Sequence, residues 1–97
     1  MTNELLEELA DRFKALSEPS RLSILKFLMG QPAPVGVIAE AVGQSQPNTS
    51  RHLAALKRAG FVSGRRDGQS IIYSIADPLV VKLCDLMCGS PLPRRNM

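Results

Sequence analysis

The sequence predicts a mainly α-helical domain that carries one small β-hairpin just before its last helix. Three observations carry this reading. Apolar residues recur at helical spacing along most of the chain, and glycines and prolines interrupt that pattern at short intervals. After Gly60 the pattern changes to turn formers followed by β-branched and aromatic residues. The 97 residues leave room for one domain, read as 1–88, with 89–97 (GSPLPRRNM) as a loose tail. A chain this short buries only about 60–65% of its unfolded surface when it folds alone, so association would help it. Its 44% hydrophobic content excludes a disordered chain. Only four residues are aromatic, Phe13, Phe27, Phe61 and Tyr73, so the core must be mainly leucine, isoleucine, valine and alanine, which favours helices.

Leu5, Leu6, Leu9, Ala10, Phe13 and Leu16 define a first helix, with acids toward its start, where the macrodipole favours them. Ser17, Glu18 and Pro19 read as a cap and a first-turn proline. They open a second helix over Leu22, Ile24, Leu25, Leu28 and Met29 that stops at Gly30. QPAP is expected to be a connector. Val35, Val37, Ile38, Ala41 and Val42 form a short third helix closed by Gly43, a residue able to take the left-handed conformation. A fourth helix runs from about Gln46 to Ala59 and ends at Gly60. SGRRDGQS and IIYSI then predict a two-stranded hairpin with its tip near Asp67 and Gly68. Asp77 and Pro78 start a last helix containing Leu79, Val80, Val81, Leu83, Leu86 and Met87.

Charge is distributed unevenly. Residues 1–18 hold five acids against Arg12 and Lys14, whereas residues 41–66 hold Arg51, Lys57, Arg58, Arg65 and Arg66 and no acid. Concentrating a modest excess of +3 into one segment is the footprint of a nucleic-acid contact, although a solvated basic face would look the same by charge alone. Two cysteines are too few for a secreted disulfide scaffold, and no signal-peptide pattern opens the chain, so a cytoplasmic protein is expected. No apolar run approaches the roughly 18 residues of a membrane span, and no membrane partner is expected.

Geometry separates the two readings of the basic segment. The third and fourth helices, joined through Gly43, Gln44 and Ser45, form a helix-turn-helix, a motif whose second helix lies in the DNA major groove. At 100° per residue, Thr49, Leu53 and Leu56 fall within about 60° of one another as a core stripe. Opposite lie Pro47, Arg51, Ala54 and Arg58, flanked by Asn48 and Ser50. Arg51 can pair bidentately with guanine and Asn48 with adenine, while Ser50 and the helix N-terminus can hold phosphate. Gln46 and His52 sit nearer the core edge and are read as backbone contacts or structural groups. Arg65 and Arg66 on the ascending hairpin strand, with Gln69 past the turn, can reach along the duplex as a wing. The fold class is therefore a winged helix-turn-helix of order α-α-α-α-β-β-α, expected to bind double-stranded DNA.

The run VGVIAEAVGQSQPNTSRHLAALKRAGFVSGRRDGQSIIYSI, preceded by LSEPSRLSILKFL, closely resembles the ArsR/SmtB family of bacterial winged-helix repressors over about residues 5 to 88. SQPNTSRHLAALKRAG is the most specific part. The resemblance implies a homodimer assembled by the first and last helices, here through Leu5, Leu9 and Phe13 with Leu79, Val80, Leu83 and Met87. It also implies an operator of twofold symmetry and release by an inducer. The residues agree, because these two helices carry more apolar surface than a small domain can bury. A dimer would set its two recognition helices about one DNA turn, roughly 34 Å, apart.

The resemblance also implies an inducer site, typically for a metal ion, arsenite or an oxidant. The family's third-helix Cys-x-Cys pair is absent, since Val35, Gly36, Val37 and Ile38 stand there. The last-helix zinc site needs histidines, and the one histidine is His52. The persulfide-sensing pair needs a second-helix cysteine, and there is none. What remains is LCDLMCG. Cys84 and Cys88 share one helical face one turn apart, a thiol pair suited to arsenite, to a soft metal ion or to oxidation. The same residues also suit plain packing, because reduced cysteine behaves as a small hydrophobe. No cofactor is required. An enzyme is not expected, since nothing nearby except Lys82 would activate a thiolate. A protein-binding winged helix would share the fold and remains the rival to DNA binding.

Overall fold

The computed structural model describes residues 1–88, with Cys88 by backbone only. The expected tail at 89–97 lies outside the described residues. The chain forms five helices and a small sheet: α1 (Asn3–Leu16), α2 (Pro19–Gly30), β1 (Ala33–Pro34), α3 (Val35–Val42), α4 (Gln46–Arg58), β2 (Val62–Asp67), β3 (Ser70–Ile75) and α5 (Pro78–Cys88). Thr2 caps α1, its hydroxyl accepting from the Leu5 amide at 3.1 Å. Ser17 closes α1 rather than opening α2, because its hydroxyl donates to the Lys14 carbonyl at 2.8 Å. Glu18 stands at the N-cap of α2 without a side-chain cap bond, and Pro19 enters the first turn, where its missing amide costs nothing.

The expected connector QPAP contains a strand. Ala33 pairs with Tyr73 and Pro34 with Ile72, so the sheet has three antiparallel strands in the order β1-β3-β2. A proline is tolerated there because β1 is an edge strand. In the hairpin, Val62 pairs with Ile75 and Asp67 with Ser70. The turn residues are therefore Gly68 and Gln69, one position beyond the expected tip, and Gly68 supplies the positive φ of 65° that a two-residue turn requires.

The core is drawn from Ile24, Leu25 and Leu28 of α2, Ile38 of α3, Leu53 and Leu56 of α4, and Phe61, Val62 and Val80. Ile38 and Ala39 form the buried side of α3, whereas Ala41 is exposed. Thr49 is fully buried, and its hydroxyl donates to the Ser45 carbonyl at 2.8 Å, which removes the cost of an unpaired polar group. Against this interior α1 contributes only Ala15, leaving Leu5, Leu6, Leu9 and Phe13 exposed, and α5 leaves Leu79, Leu86 and Met87 exposed. Of these, Leu9, Phe13, Leu79 and Leu86 border an apolar groove of about 390 Å³ between α1 and α5. Val80 lies at the floor of that groove. At 1% exposure it is part of its own chain's core.

The two outer helices are tied to the base of the hairpin. Arg12 Nη2 donates to Asp77 Oδ2 at 2.5 Å, and the Arg12 guanidinium lies 4.7 Å from the centre of the Phe61 ring. Asp77 in turn accepts from the Leu79 amide at 2.9 Å at the start of α5. That backbone bond first, and the Arg12 guanidinium second, hold the Asp77 carboxyl below the ordinary value of 3.8.

Candidate nucleic-acid interface

Gly43 ends α3 at φ 71°, a left-handed geometry that turns the chain sharply, and its amide returns to the carbonyls of Ala39 and Glu40. Two residues later Ser45 caps α4, accepting from the Asn48 amide at 3.2 Å. Thr49, Leu53 and Leu56 seat α4 on the core, as the 100° periodicity predicts. The opposite side is solvent-facing, with Gln46, Pro47, Ser50, Arg51, Ala54, Lys57 and Arg58 all exposed and Asn48 half-buried. With no acid on α4, this face is suited to phosphate and base edges.

Arg51 Nη2 donates to Asn48 Oδ1 across one helical turn. The two residues suited to direct base reading are thus held together on one face, and the amide orients the guanidinium. The Gln46 amide lies over the first turn of α3, where a side chain on Gly36 would stand 3.4 Å from Gln46 Nε2. Gln46, Ser50 and Gln69 meet in a cleft of about 560 Å³ between α3, the start of α4 and the hairpin, together with Val37, Glu40 and Ile71. The reading from sequence did not include these last three residues. They are neither basic nor amide-bearing, and only the folded chain brings α3 and β3 beside α4.

The remaining basic residues are spread apart. Strand alternation puts Arg65 and Arg66 on opposite faces of the hairpin. Arg66 pairs with Ile71 and shares the face of Val62 and Gly64, the side turned toward the cleft, while Arg65 lies on the other face with Ser63. Arg58 stands at the far end of α4 and borders a groove shared with Glu8 and Asp11 of α1, away from the cleft. His52 is turned inward. Its Nδ1 accepts from Arg21 Nε at 3.2 Å and lies 3.6 Å from Glu18 Oε2. The bond between Arg21 and His52 carried no local signal in the sequence, since the two residues stand 31 positions apart.

Cys84 is half-buried and packs against the core cluster from α5, while the Cys88 side chain lies outside the described residues. Among the described residues there is no group of three or more His, Cys, Asp or Glu able to hold a metal ion, and no helix is long and apolar enough to cross a membrane.

Residues 18–63 match the family described as bacterial regulatory protein, arsR family. The chain is 40% identical over 85 residues to the HTH-type transcriptional regulator NmtR of Mycobacterium tuberculosis, covering 88% of this chain and 71% of that protein. It is 42% identical over 71 residues to a probable mercury resistance operon repressor of Streptomyces lividans, covering 73% of this chain and 57% of that one. In three dimensions it is similar to the homodimeric winged helix-turn-helix DNA-binding domain of Mb0332 from Mycobacterium bovis, with TM-score 0.85, 31% identity, and 100% and 95% of the two chains covered. These relatives are described as transcriptional regulators or their DNA-binding domains, not as enzymes.

Proposed function

Because the chain belongs to the arsR family of bacterial regulatory proteins, we propose that it acts in the cytoplasm as a homodimeric repressor, with α4 in the major groove and the β2–β3 hairpin as a wing. The observation that carries this reading is the exposed face of α4, where Arg51 and Asn48 are paired one turn from the capped helix N-terminus. Arg51 would read guanine and Asn48 adenine. Pro47 would allow close approach of the backbone. Ser50, Gln46, Gln69, Arg65 and Arg66 would fix the register on phosphates. Arg58, at the far end of α4, would add a peripheral phosphate contact. The exposed apolar surfaces of α1 and α5 support a dimer in which Leu5, Leu9, Phe13, Leu79, Leu83 and Met87 meet a second copy, and twofold symmetry would then dictate a symmetric operator.

The signal is proposed to act at Cys84 and Cys88, one turn apart on the helix that would form the dimer. A thiophilic ion fits this pair, whether arsenite or a soft metal. The similarity to a repressor described for mercury resistance supports the same class of ligand. Binding at Cys84 would pull a half-buried side chain off the core and shift α5 against its partner. A thiol oxidant would act on the same helix turn. The packing of Cys84 against the core supports a second reading, in which the cysteines are structural and the signal enters elsewhere.

Fluorescence anisotropy on the duplex upstream of the protein's own gene tests both parts. The proposal expects tight binding by reduced protein that arsenite, mercuric ion or a mild oxidant abolishes, and that becomes indifferent to them in Cys84→Ser/Cys88→Ser. Tight binding indifferent to all three in the native chain would assign the cysteines to packing. No binding to any duplex would favour a protein-binding winged helix.

A further inference from the structure

We infer that Arg21 and His52 are positioning residues that fix the rotation of α4 about its own axis, and that His52 is not itself a DNA contact. The inference rests on the DNA-binding reading of α4. Thr49, Leu53 and Leu56 set how deeply α4 sits, but apolar packing is non-directional and does not by itself fix the angle of the helix. At about 6 Å from the helix axis, a turn of roughly 20° moves a side-chain tip by about 2 Å, enough to break a bidentate base contact.

A directional restraint sits at the edge of the core stripe. Arg21 Nε–H donates to His52 Nδ1 at 3.2 Å, and Arg21 Nη1–H reaches the Ala15 carbonyl at 3.5 Å. One guanidinium thus joins the last turn of α1, the first turn of α2 and the middle of α4. Glu18 Oε2 lies 3.5 Å from Arg21 Nε and 3.6 Å from His52 Nδ1, so the shorter Arg21 bond takes Nδ1 and the carboxylate serves as a counter-charge. An Nδ1 that accepts carries no proton, which leaves the ring proton on Nε2. The ring is 17% exposed and committed to the interior, whereas its neighbour Arg51 is exposed.

The two amide isosteres distinguish the two ring nitrogens. His52→Asn places an acceptor near the position of Nδ1, while His52→Gln places its amide near Nε2. Arg21→Lys keeps the charge and removes the guanidinium fork. Affinity would be measured for the upstream duplex and for a scrambled duplex, alongside ¹⁵N shifts of His52 in the DNA-free protein. The ring should carry its proton on Nε2, and Arg21→Lys should shift the Nδ1 resonance. His52→Asn should keep specific affinity within about threefold. His52→Gln and Arg21→Lys should weaken binding to the specific duplex roughly 5- to 150-fold, the worth of a bidentate contact, with scrambled-duplex binding and the salt slope unchanged.

The reverse order, Gln tolerated and Asn not, with a salt slope reduced by about one, would make Nε2 a phosphate contact and overturn the inference. Full specific affinity in all three variants would overturn it as well. If the wild-type chain binds no duplex, the DNA-binding reading fails, and the nitrogen shifts still judge the pair: a protonated Nδ1, or one indifferent to Arg21→Lys, overturns it.

Discussion

Replacing Phe13 by alanine is expected to weaken self-association of the chain without unfolding it. Phe13 is 55% exposed in the lone chain, and α1 buries only Ala15 in the core, so the ring contributes little to the fold of one copy. Full burial of a large apolar side chain is worth roughly 1.5–3 kcal/mol, so covering the exposed half of the ring against a partner is worth about 0.8–1.6 kcal/mol. A twofold interface counts each substitution twice, which gives about 1.6–3.2 kcal/mol per dimer, or a dissociation constant raised roughly 15- to 220-fold. Sedimentation equilibrium over a concentration series reads that constant, and thermal melting at a fixed low concentration reads the fold. A dissociation constant unchanged within about twofold would refute the placement of α1 in the interface. Loss of cooperative melting would refute the claim that Phe13 lies outside the core.

Val80→Ala should behave in the opposite way, lowering the stability of each copy by about 1–3 kcal/mol in denaturant melts, because Val80 is 1% exposed; Leu79→Ala, at a position 63% exposed, should leave the monomer's stability nearly unchanged. Gly43→Ala should cost roughly 1 kcal/mol in the same melts through its φ of 71° alone, since a methyl group there would touch nothing within 4 Å. Asp77 has a folded-state pKa below its ordinary value of 3.8, so its stabilising contribution is fully present above that pH and is lost as the pH falls through the folded value. Between pH 7 and pH 3 the native chain should therefore lose more stability than Asp77→Asn, and parallel acid profiles would contradict the lowering of the Asp77 carboxyl by the Leu79 amide and Arg12.

Much of the site was legible because its signals are local. The 100° period of Thr49, Leu53 and Leu56 and the turn at Gly43 each lie within one helix or one turn, and each stands where the sequence predicts. The misses have physical reasons. Ala33 and Pro34 form a strand only because β3 arrives to pair with them, and no period can be read from two residues. Along α5 the apolar stripe is wide enough to face two ways, so periodicity could not decide that Val80 turns to its own core while Leu79 turns out. The bond between Arg21 and His52 spans 31 residues and follows no spacing rule.

The central claim is that α4 and the wing together contact DNA, and the salt dependence of binding tests it most directly. Anisotropy titrations on the upstream duplex across a range of salt concentrations would be compared for the native chain, Arg51→Ala and Arg66→Ala. If both arginines meet the duplex, affinity falls in each variant, and the slope of log affinity against log salt drops by about one for each phosphate no longer neutralised. A native chain whose affinity is strong but whose slope and strength are untouched by both substitutions would contradict the account.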